Sequence, residues 1–477
     1  MIQAGLLSGD EPWYRDVLGP RGGPAAWHGP LLPYQVEGVQ ALLSRDSLLL
    51  ADDMGLGKTI QAIAAIRILL WQQRLQSALI VAPAGLLRQW QRELRLWAPE
   101  VRVLTVHGNQ AERSWQWKAP VAVYLTSYET LRSDYYEQPA SPPARLWDLV
   151  VLDEAQKIKN AGTGVSRVCK QLRTRRQWAL TGTPLENRPD DVKSILSFVS
   201  PHSPHARRPY QGPLELRAEL RQVQLRRRKA DVLPDLPPKL VSPLSLPLTR
   251  SQRRVYDRAE QEGVVELRAM GEHIRVQHIL ALIARLKQIC NFCPSSGQSS
   301  KMDDLRERVS VLVEEGHKAL IFSQFSNAEY GARRIADELE PQALVYAGDL
   351  SQGEREAIVQ RFRADDGKSA LVLSVRAGGL GLNLQQASYV FHFDRWWNPA
   401  TQNQADGRSH RLGQRSPVNV YTYTCERTIE ERIEQILEDK QVLFDDLVDG
   451  VSMELPPSLS SEELFRLFDL RPPRSRG

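Results

Sequence analysis

The chain has 477 residues, 42% of them hydrophobic and 25% charged, with 62 Lys and Arg against 57 Asp and Glu for a net charge of +5 and a pI near 8.9. Such a composition excludes global disorder and allows roughly two to four domains with large cores; the mild basicity fits a nucleic-acid or phosphate partner without singling one out. With no apolar run of about 18 residues and no basic-then-apolar start, the sequence predicts neither a membrane span nor a secretory leader.

Residues 1–30 read as a loosely held segment. Short apolar runs then recur, each followed by a helical pattern: SLLLA (47–51), ALIVAP (78–83), VAVYLTS (121–127), DLVVLDE (148–154) and WALTGTP (178–184). A second series follows later: KALIFS (318–323), ALVYAG (343–348), ALVLSV (370–375), YVFHFD (389–394) and VNVYTYT (418–424). Nearly continuous apolar strands alternating with helices predict parallel sheets covered on both faces. Between the two series, residues 200–300 read as helical insertions, broken by LPDLPPKLVSPLSLPLT (233–249) and ending at the linker-like CPSSGQSS (293–300). The expected division is 31–199 for the first lobe, 301–427 for the second, a helix over 428–450 and a tail over 451–477.

Of four cysteines, only Cys290 and Cys293 form a close pair. A zinc site needs a second ligand pair, so they read as packed or surface thiols, and the low count suits a reducing compartment.

The chemistry-bearing motifs point to phosphate. ADDMGLGKTI (51–60) is a strand, a glycine-rich turn and a helix start, the arrangement whose backbone amides cradle phosphate. Lys58 would reach the β- and γ-phosphates and Thr59 would hold Mg²⁺; Asp52 stands where the strict pattern has glycine. LVVLDEAQ (149–156) supplies Asp153 for Mg²⁺ through water and Glu154 to polarise an attacking water. LTGTPLEN (180–187) places two threonines around a glycine at a strand end, where hydroxyls can relay between ligands. In QADGRSHRLGQ (404–414), Arg408 and Arg411 are three apart, so a helix would put them on one face, ready for a γ-phosphate in transfer.

In chain order, LPYQVEGV, DDMGLGKT, DEAQ, LTGTPLEN, SVRAGGLGLNL, DRWWNP and QADGRSHRLGQ together resemble the Swi2/Snf2 ATPases of helicase superfamily 2, over roughly residues 30–448. The resemblance implies an α/β fold of two RecA-like parallel-sheet lobes with helical insertions between them, the segment after 425 bracing the lobes, and ATP with Mg²⁺ as cofactors. It implies that Gln35 recognises adenine, that Asp53, Met54, Gly55, Leu56, Gly57, Lys58 and Thr59 bind the nucleotide, and that Asp153 and Glu154 hydrolyse it. Arg408 and Arg411 become arginine fingers, and Gly381 approaches the nucleotide from the second lobe. Three departures stand out. DEAQ replaces DEAH, with Gln156 expected to bond to the second lobe. Gly407 stands where the family commonly has Asp. No large targeting module is expected beside the motor.

For nucleic acid, the resemblance points to Arg88, Thr126 and Ser127 in the first lobe and to Ser323, Gln324, Arg376, Gly378 and Trp397 in the second. Ser, Thr and backbone amides at strand ends bond phosphate without reading bases, and the arginines add salt-dependent attraction. RRRK (226–229) reads either as a solvated helix face or as a further DNA contact. The expected activity is ATP-driven translocation on double-stranded DNA that remodels protein–DNA complexes without strand separation. The alternatives are a nucleotide-switched DNA- or protein-binding adaptor and an RNA-directed ATPase. The expected partners are duplex DNA and a DNA-bound protein such as RNA polymerase, with no membrane and a monomeric chain. The expected location is cytoplasmic and nucleoid-associated in a prokaryote, nuclear in a eukaryote.

Overall fold

A computed structural model describes residues 27, 29–137, 145–182, 189–201, 203, 213–364, 369–374, 382–394, 396, 399–447 and 460–470. Gly381, Arg376, Gly378 and Trp397 lie outside these residues. The chain divides into two compact units, one up to Pro234 and one from Asp235.

In the first unit the strands are β1 (Ser47–Leu50), β2 (Ala78–Ala82), β3 (Val103–Thr105), β4 (Val123–Ser127), β5 (Trp147–Asp153), β6 (Thr174–Leu180) and β7 (Gln224–Leu225). They form one sheet in the order β3-β4-β2-β5-β6-β1-β7, with every pairing parallel. The apolar runs have a direct cause. Side chains alternate across a strand, and both faces here carry helices. Leu48, Leu50, Ile80 and Val151 pack into one core with helices Pro33–Ser44, Lys58–Trp71 and Leu87–Trp97. Their neighbours Leu49, Leu79, Val81 and Val150 pack into another with helices Gly164–Gln171 and Pro189–Val199. Both faces are therefore largely apolar along the strand centres, with polar residues such as Thr126, Ser127 and Asp153 at the C-terminal strand ends.

The second unit repeats the plan with β8 (Lys239–Leu246), β9 (Ala319–Ser323), β10 (Ala343–Tyr346), β11 (Ala370–Ser374), β12 (Tyr389–His392) and β13 (Val418–Cys425). The sheet order is β10-β11-β9-β12-β13-β8, again parallel. Ala319 and Ile321 face one core, Leu320 and Phe322 the other. A third core joins helices Arg250–Ala269 and Val276–Asn291 to Ile429–Leu447 and Ser461–Arg466.

Residues 200–300 are therefore not simply helical insertions. Helix Pro213–Val223 and β7 belong to the first unit, whereas the proline-rich stretch expected to break helices contains β8. That strand sits at the sheet edge, where a residue lacking an N–H, such as Pro243, is tolerated. Among the described residues no helix is long and apolar enough to cross a membrane.

Candidate functional site

Strand register alone gathers the first group of candidates. Leu50 of β1 pairs with Leu180 of β6, and Leu180 pairs with Asp153 of β5. The glycine-rich turn, Thr181–Gly182 and Asp153–Glu154 therefore emerge abreast at the C-terminal edge of three adjacent parallel strands, where open α/β sheets form their ligand crevices.

The turn ends in Gly57, whose φ of +77° starts helix Lys58–Trp71 from a left-handed conformation. A Cβ there would lie 2.7 Å from Gln35 Nε2, so glycine is required by backbone and by space. Gln35 in turn donates to the Leu56 carbonyl at 3.3 Å, which sets the candidate adenine-reading residue against the turn. No side chain caps the helix and no acid lies in its first turn, so its leading amides and positive dipole end suit an anion. Thr59 is the second residue of that helix. Lys58 Nζ donates to the carbonyls of Asp52 at 2.6 Å and Asp53 at 3.1 Å. Burial pushes its pKa down against the opposing pull of Glu154, Asp52, Asp153 and Asp53. Asp53, Met54, Gly55 and Leu56 form the turn itself, and a Cβ on Gly182 would come 2.6 Å from Met54 and 3.1 Å from Lys58 Nζ.

The acidic pair is crowded, with Asp153 buried and Glu154 half-buried. Asp153 Oδ2 accepts from the Trp90 indole at 2.7 Å, and its Oδ1 accepts from the Glu154 amide at 3.0 Å. Burial, then the neighbouring Glu154 carboxylate, pushes the Asp153 pKa up to about 7. Two adjacent carboxylates in such surroundings fit a divalent cation, which would relieve their repulsion. Gln156 donates to Glu154 Oε2 at 2.6 Å and accepts from Thr181 Oγ1 at 3.0 Å. It thus links the acidic box to the threonine motif inside the first unit. Trp90 and Tyr128, whose hydroxyl donates to the Asp153 carbonyl at 2.8 Å, were not singled out from sequence. The available signal was that a buried indole or phenol needs an acceptor.

In the second unit, the shared helical face expected for Arg408 and Arg411 does not exist. Helix Pro399–Asp406 ends before them, and both lie in the following turn. That turn is pinned at several points. Ser409 Oγ donates to the Ala387 carbonyl, Gln414 Nε2 to the carbonyls of Gln385 and Ala387 at 3.0 Å each, and His410 Nε2 lies 2.9 Å from the Pro237 carbonyl. Arg408 is buried and Arg411 half-buried. At the helix end, burial would raise the Asp406 pKa, but His392 at 2.8 Å and Lys239 at 3.0 Å hold it below the usual carboxylate range.

The candidate nucleic-acid contacts are placed as follows. Arg88 is exposed on helix Leu87–Trp97. Thr126 and Ser127 are buried at the end of β4, where Ser127 Oγ accepts from the Thr130 amide at 3.0 Å. Ser323 is buried and donates to Asp394 Oδ2 at 2.5 Å, and the Gln324 amide donates to Asp394 Oδ1 at 2.8 Å. All four cysteines are free and buried. Cys290 lies near Cys425 and Glu430, a trio with ligand atoms within 4.8 Å, but Lys301 Nζ already pairs with Glu430 at 2.7 Å and supplies the cation there.

Residues 34–294 match a family described as SNF2-related domain, and residues 300–413 one described as helicase conserved C-terminal domain. The chain is 35% identical over 483 residues to a putative ATP-dependent helicase/translocase of Bacillus subtilis, YwqA, covering 93% of this chain and 51% of that protein. It is 33% identical over 463 residues to an uncharacterized ATP-dependent helicase of Mycoplasma genitalium, MG018, covering 92% and 44% respectively. A solved structure, the Sulfolobus solfataricus SWI2/SNF2 ATPase core in complex with dsDNA, is 31% identical, covering 95% of this chain and 99% of that one at a TM-score of 0.43. The chain spans about half the length of the curated relatives it matches.

Proposed function

The chain belongs to the SNF2-related family, and from that premise we propose that it is a DNA-stimulated ATPase that translocates on double-stranded DNA and remodels protein–DNA complexes without separating the strands. The observation that carries the reading is the meeting of the glycine-rich turn, Lys58, the Asp153–Glu154 pair and the Gln156–Thr181 link at one sheet edge.

In this reading the amides of residues 55–59 hold the triphosphate and Lys58 leaves its backbone carbonyls for a phosphate oxygen. Thr59 and Asp153 hold Mg²⁺, which neutralises phosphate charge when bound. Glu154 orients the attacking water and takes its proton, while Gln156 fixes the carboxylate that does so. Gln35 reads the adenine edge. Arg408 and Arg411, from the second unit, stabilise the charge that develops on the transferred γ-phosphate. Arg88, Ser323 and Gln324 belong to the strand-end and helix-start positions from which phosphate of the polymer is gripped.

The test is ATP turnover with duplex DNA, single-stranded DNA and RNA side by side, with Glu154→Gln as the hydrolysis-deficient control. Duplex DNA is expected to stimulate most. Equal stimulation by RNA would transfer the assignment to an RNA-directed ATPase. Nucleotide binding without stimulated turnover by any polymer would favour the adaptor.

A further inference from the structure

The basic run Arg226–Lys229 is not one solvated helix face. Gln224–Leu225 is β7, pairing in parallel with β1, and a short helix starts only at Lys229. Between them, Arg227 turns inward to 9% exposure. Its guanidinium grips Asp52 with two bonds, Nε to Oδ1 at 3.0 Å and Nη2 to Oδ2 at 2.6 Å. Asp52 is fully buried and is the residue that replaces glycine in the strict phosphate-loop pattern. We propose that Arg227 is a positioning residue tying the phosphate loop to residues 224–232, so that nucleotide on the loop and the placement of this segment form one equilibrium.

The fork reaches beyond Asp52 to two further neighbours of the loop. Nη2 also donates to Gln61 Oε1 at 2.9 Å, and Nη1 to the Tyr34 carbonyl beside Gln35. Gln61 donates to Asp52 Oδ2 at 3.3 Å and to the Leu56 carbonyl at 3.2 Å, the acceptor it shares with Gln35. Gly38 makes room for this cluster, since a Cβ there would fall 1.8 Å from Gln61 Oε1 and 2.8 Å from Arg227 Nη2. The backbone is laced as well. Ala51 N donates to the Leu225 carbonyl at 2.8 Å and Asp53 N to the Arg227 carbonyl at 3.0 Å, while Lys229 N donates to Asp53 Oδ2 at 2.9 Å.

The coupling has a chemical origin. The carbonyls that hold Lys58 belong to Asp52 and Asp53, the two residues whose side chains hold Arg227 and Lys229. A phosphate that takes the ammonium removes a donor from both carbonyls, and the segment bonded to those residues must respond. A buried, bidentate ion pair has few alternative geometries, so the response is a shift between discrete states. The segment runs on to Pro234, where the first unit ends.

The inference rests on the reading of residues 52–59 as a nucleotide loop, and hydrogen exchange on the full chain, with and without a non-hydrolysable ATP analogue, separates the two. In the wild type the amides of Asp53 and Lys229 should exchange about tenfold more slowly with the analogue, the scale of one hydrogen bond to a charged group. Arg227→Lys keeps the charge but loses the fork; the analogue should bind about tenfold more weakly and the slowing at Lys229 should vanish. The pair Asp52→Asn with Arg227→Gln removes both buried charges together and should show the same loss of slowing at an unchanged melting temperature. Variants that merely melt earlier, with wild-type affinity and wild-type nucleotide-dependent slowing, overturn the proposal. A wild type that does not bind the analogue overturns the loop reading itself, and this inference with it.

Discussion

Glu154 takes a φ of +52°, a left-handed conformation uncommon for a residue with a side chain, at the position that the proposed chemistry uses most. Such backbone persists where surrounding contacts over-determine it, and the Gln156 bond at 2.6 Å is one of them. Glu154→Gln should bind a fluorescent ATP analogue normally and turn ATP over about 10²–10⁴-fold more slowly, the usual worth of a general base. Lost affinity with an unchanged rate per bound nucleotide would show that Glu154 has another role. The neighbouring Asp153 carries a prediction about pH. Its folded pKa lies near 7, above its ordinary 3.8. The stability it contributes is therefore fully present below about pH 4, declines as pH rises, and is lost above about pH 7. Without Mg²⁺, Asp153→Asn should be more stable than the wild type by at least ~1 kcal/mol at pH 8, and the gap should close towards pH 4. Chemical denaturation at the two pH values checks this; a gap that widens on acidification contradicts the assignment.

Between elements, the second unit depends on a buried polar network. Lys301 of helix Ser300–Glu314 and Glu430 of helix Ile429–Leu447 pair at 2.7 Å with both side chains fully buried. Burial alone would lower the Lys301 pKa, but Glu430 more than reverses this. Lys301 also donates to Asn291 at 3.3 Å, and Asn291 donates to Asp394 at 3.0 Å, the residue that holds Ser323 and the Gln324 amide. Lys301→Met leaves an unpaired buried carboxylate and should cost about 3–5 kcal/mol. Adding Glu430→Leu should recover most of it, because a packed apolar pair can match a buried ion pair. Denaturant titration of the single and double variants measures this; a double variant no better than the single would mean that packing, not charge, dominates the loss.

At the scale of the whole molecule, a net charge of only +5 cannot itself produce tight binding to a polyanion. The proposed affinity for DNA must come from local contacts, and stimulation should fall steeply with salt, by a slope near 0.9 per phosphate neutralised. ATP turnover against salt at fixed duplex concentration reads that slope, and a flat profile contradicts a phosphate-backbone grip. Arg411→Ala should lower DNA-stimulated turnover by about 10³–10⁵-fold, the usual worth of an arginine finger, with nucleotide affinity within about tenfold. Lysine at 411 should rescue poorly because an ammonium lacks the planar fork. Wild-type stimulated turnover in Arg411→Ala would remove this residue from the hydrolytic step.

The sequence by itself determined the most apolar interior strands of both sheets, because a strand covered by helices on each face is apolar at nearly every position, as 78–82 and 319–323 are; interior β6 was legible only from Trp178, since its first half is Thr-Arg-Arg-Gln. It also determined the two local site elements, where the glycines and lysine of 55–58 are neighbours along the chain, as are the acids at 153 and 154; bringing the two elements together took the register of β1, β6 and β5. Tertiary structure alone decided β3, β7 and β8, which lie at sheet edges or are too short to carry a continuous apolar run. It alone decided that Trp90 meets Asp153 across 63 positions and that Arg227 meets Asp52 across 175. It also removed the helix from beneath Arg408 and Arg411, where bonds from Ser409 and Gln414 to residues 385–387 favour a turn over local periodicity. The reason is common to these cases: spacing encodes only the contacts that the backbone makes with its near neighbours, whereas a buried charge is satisfied by whichever distant side chain the fold brings to it.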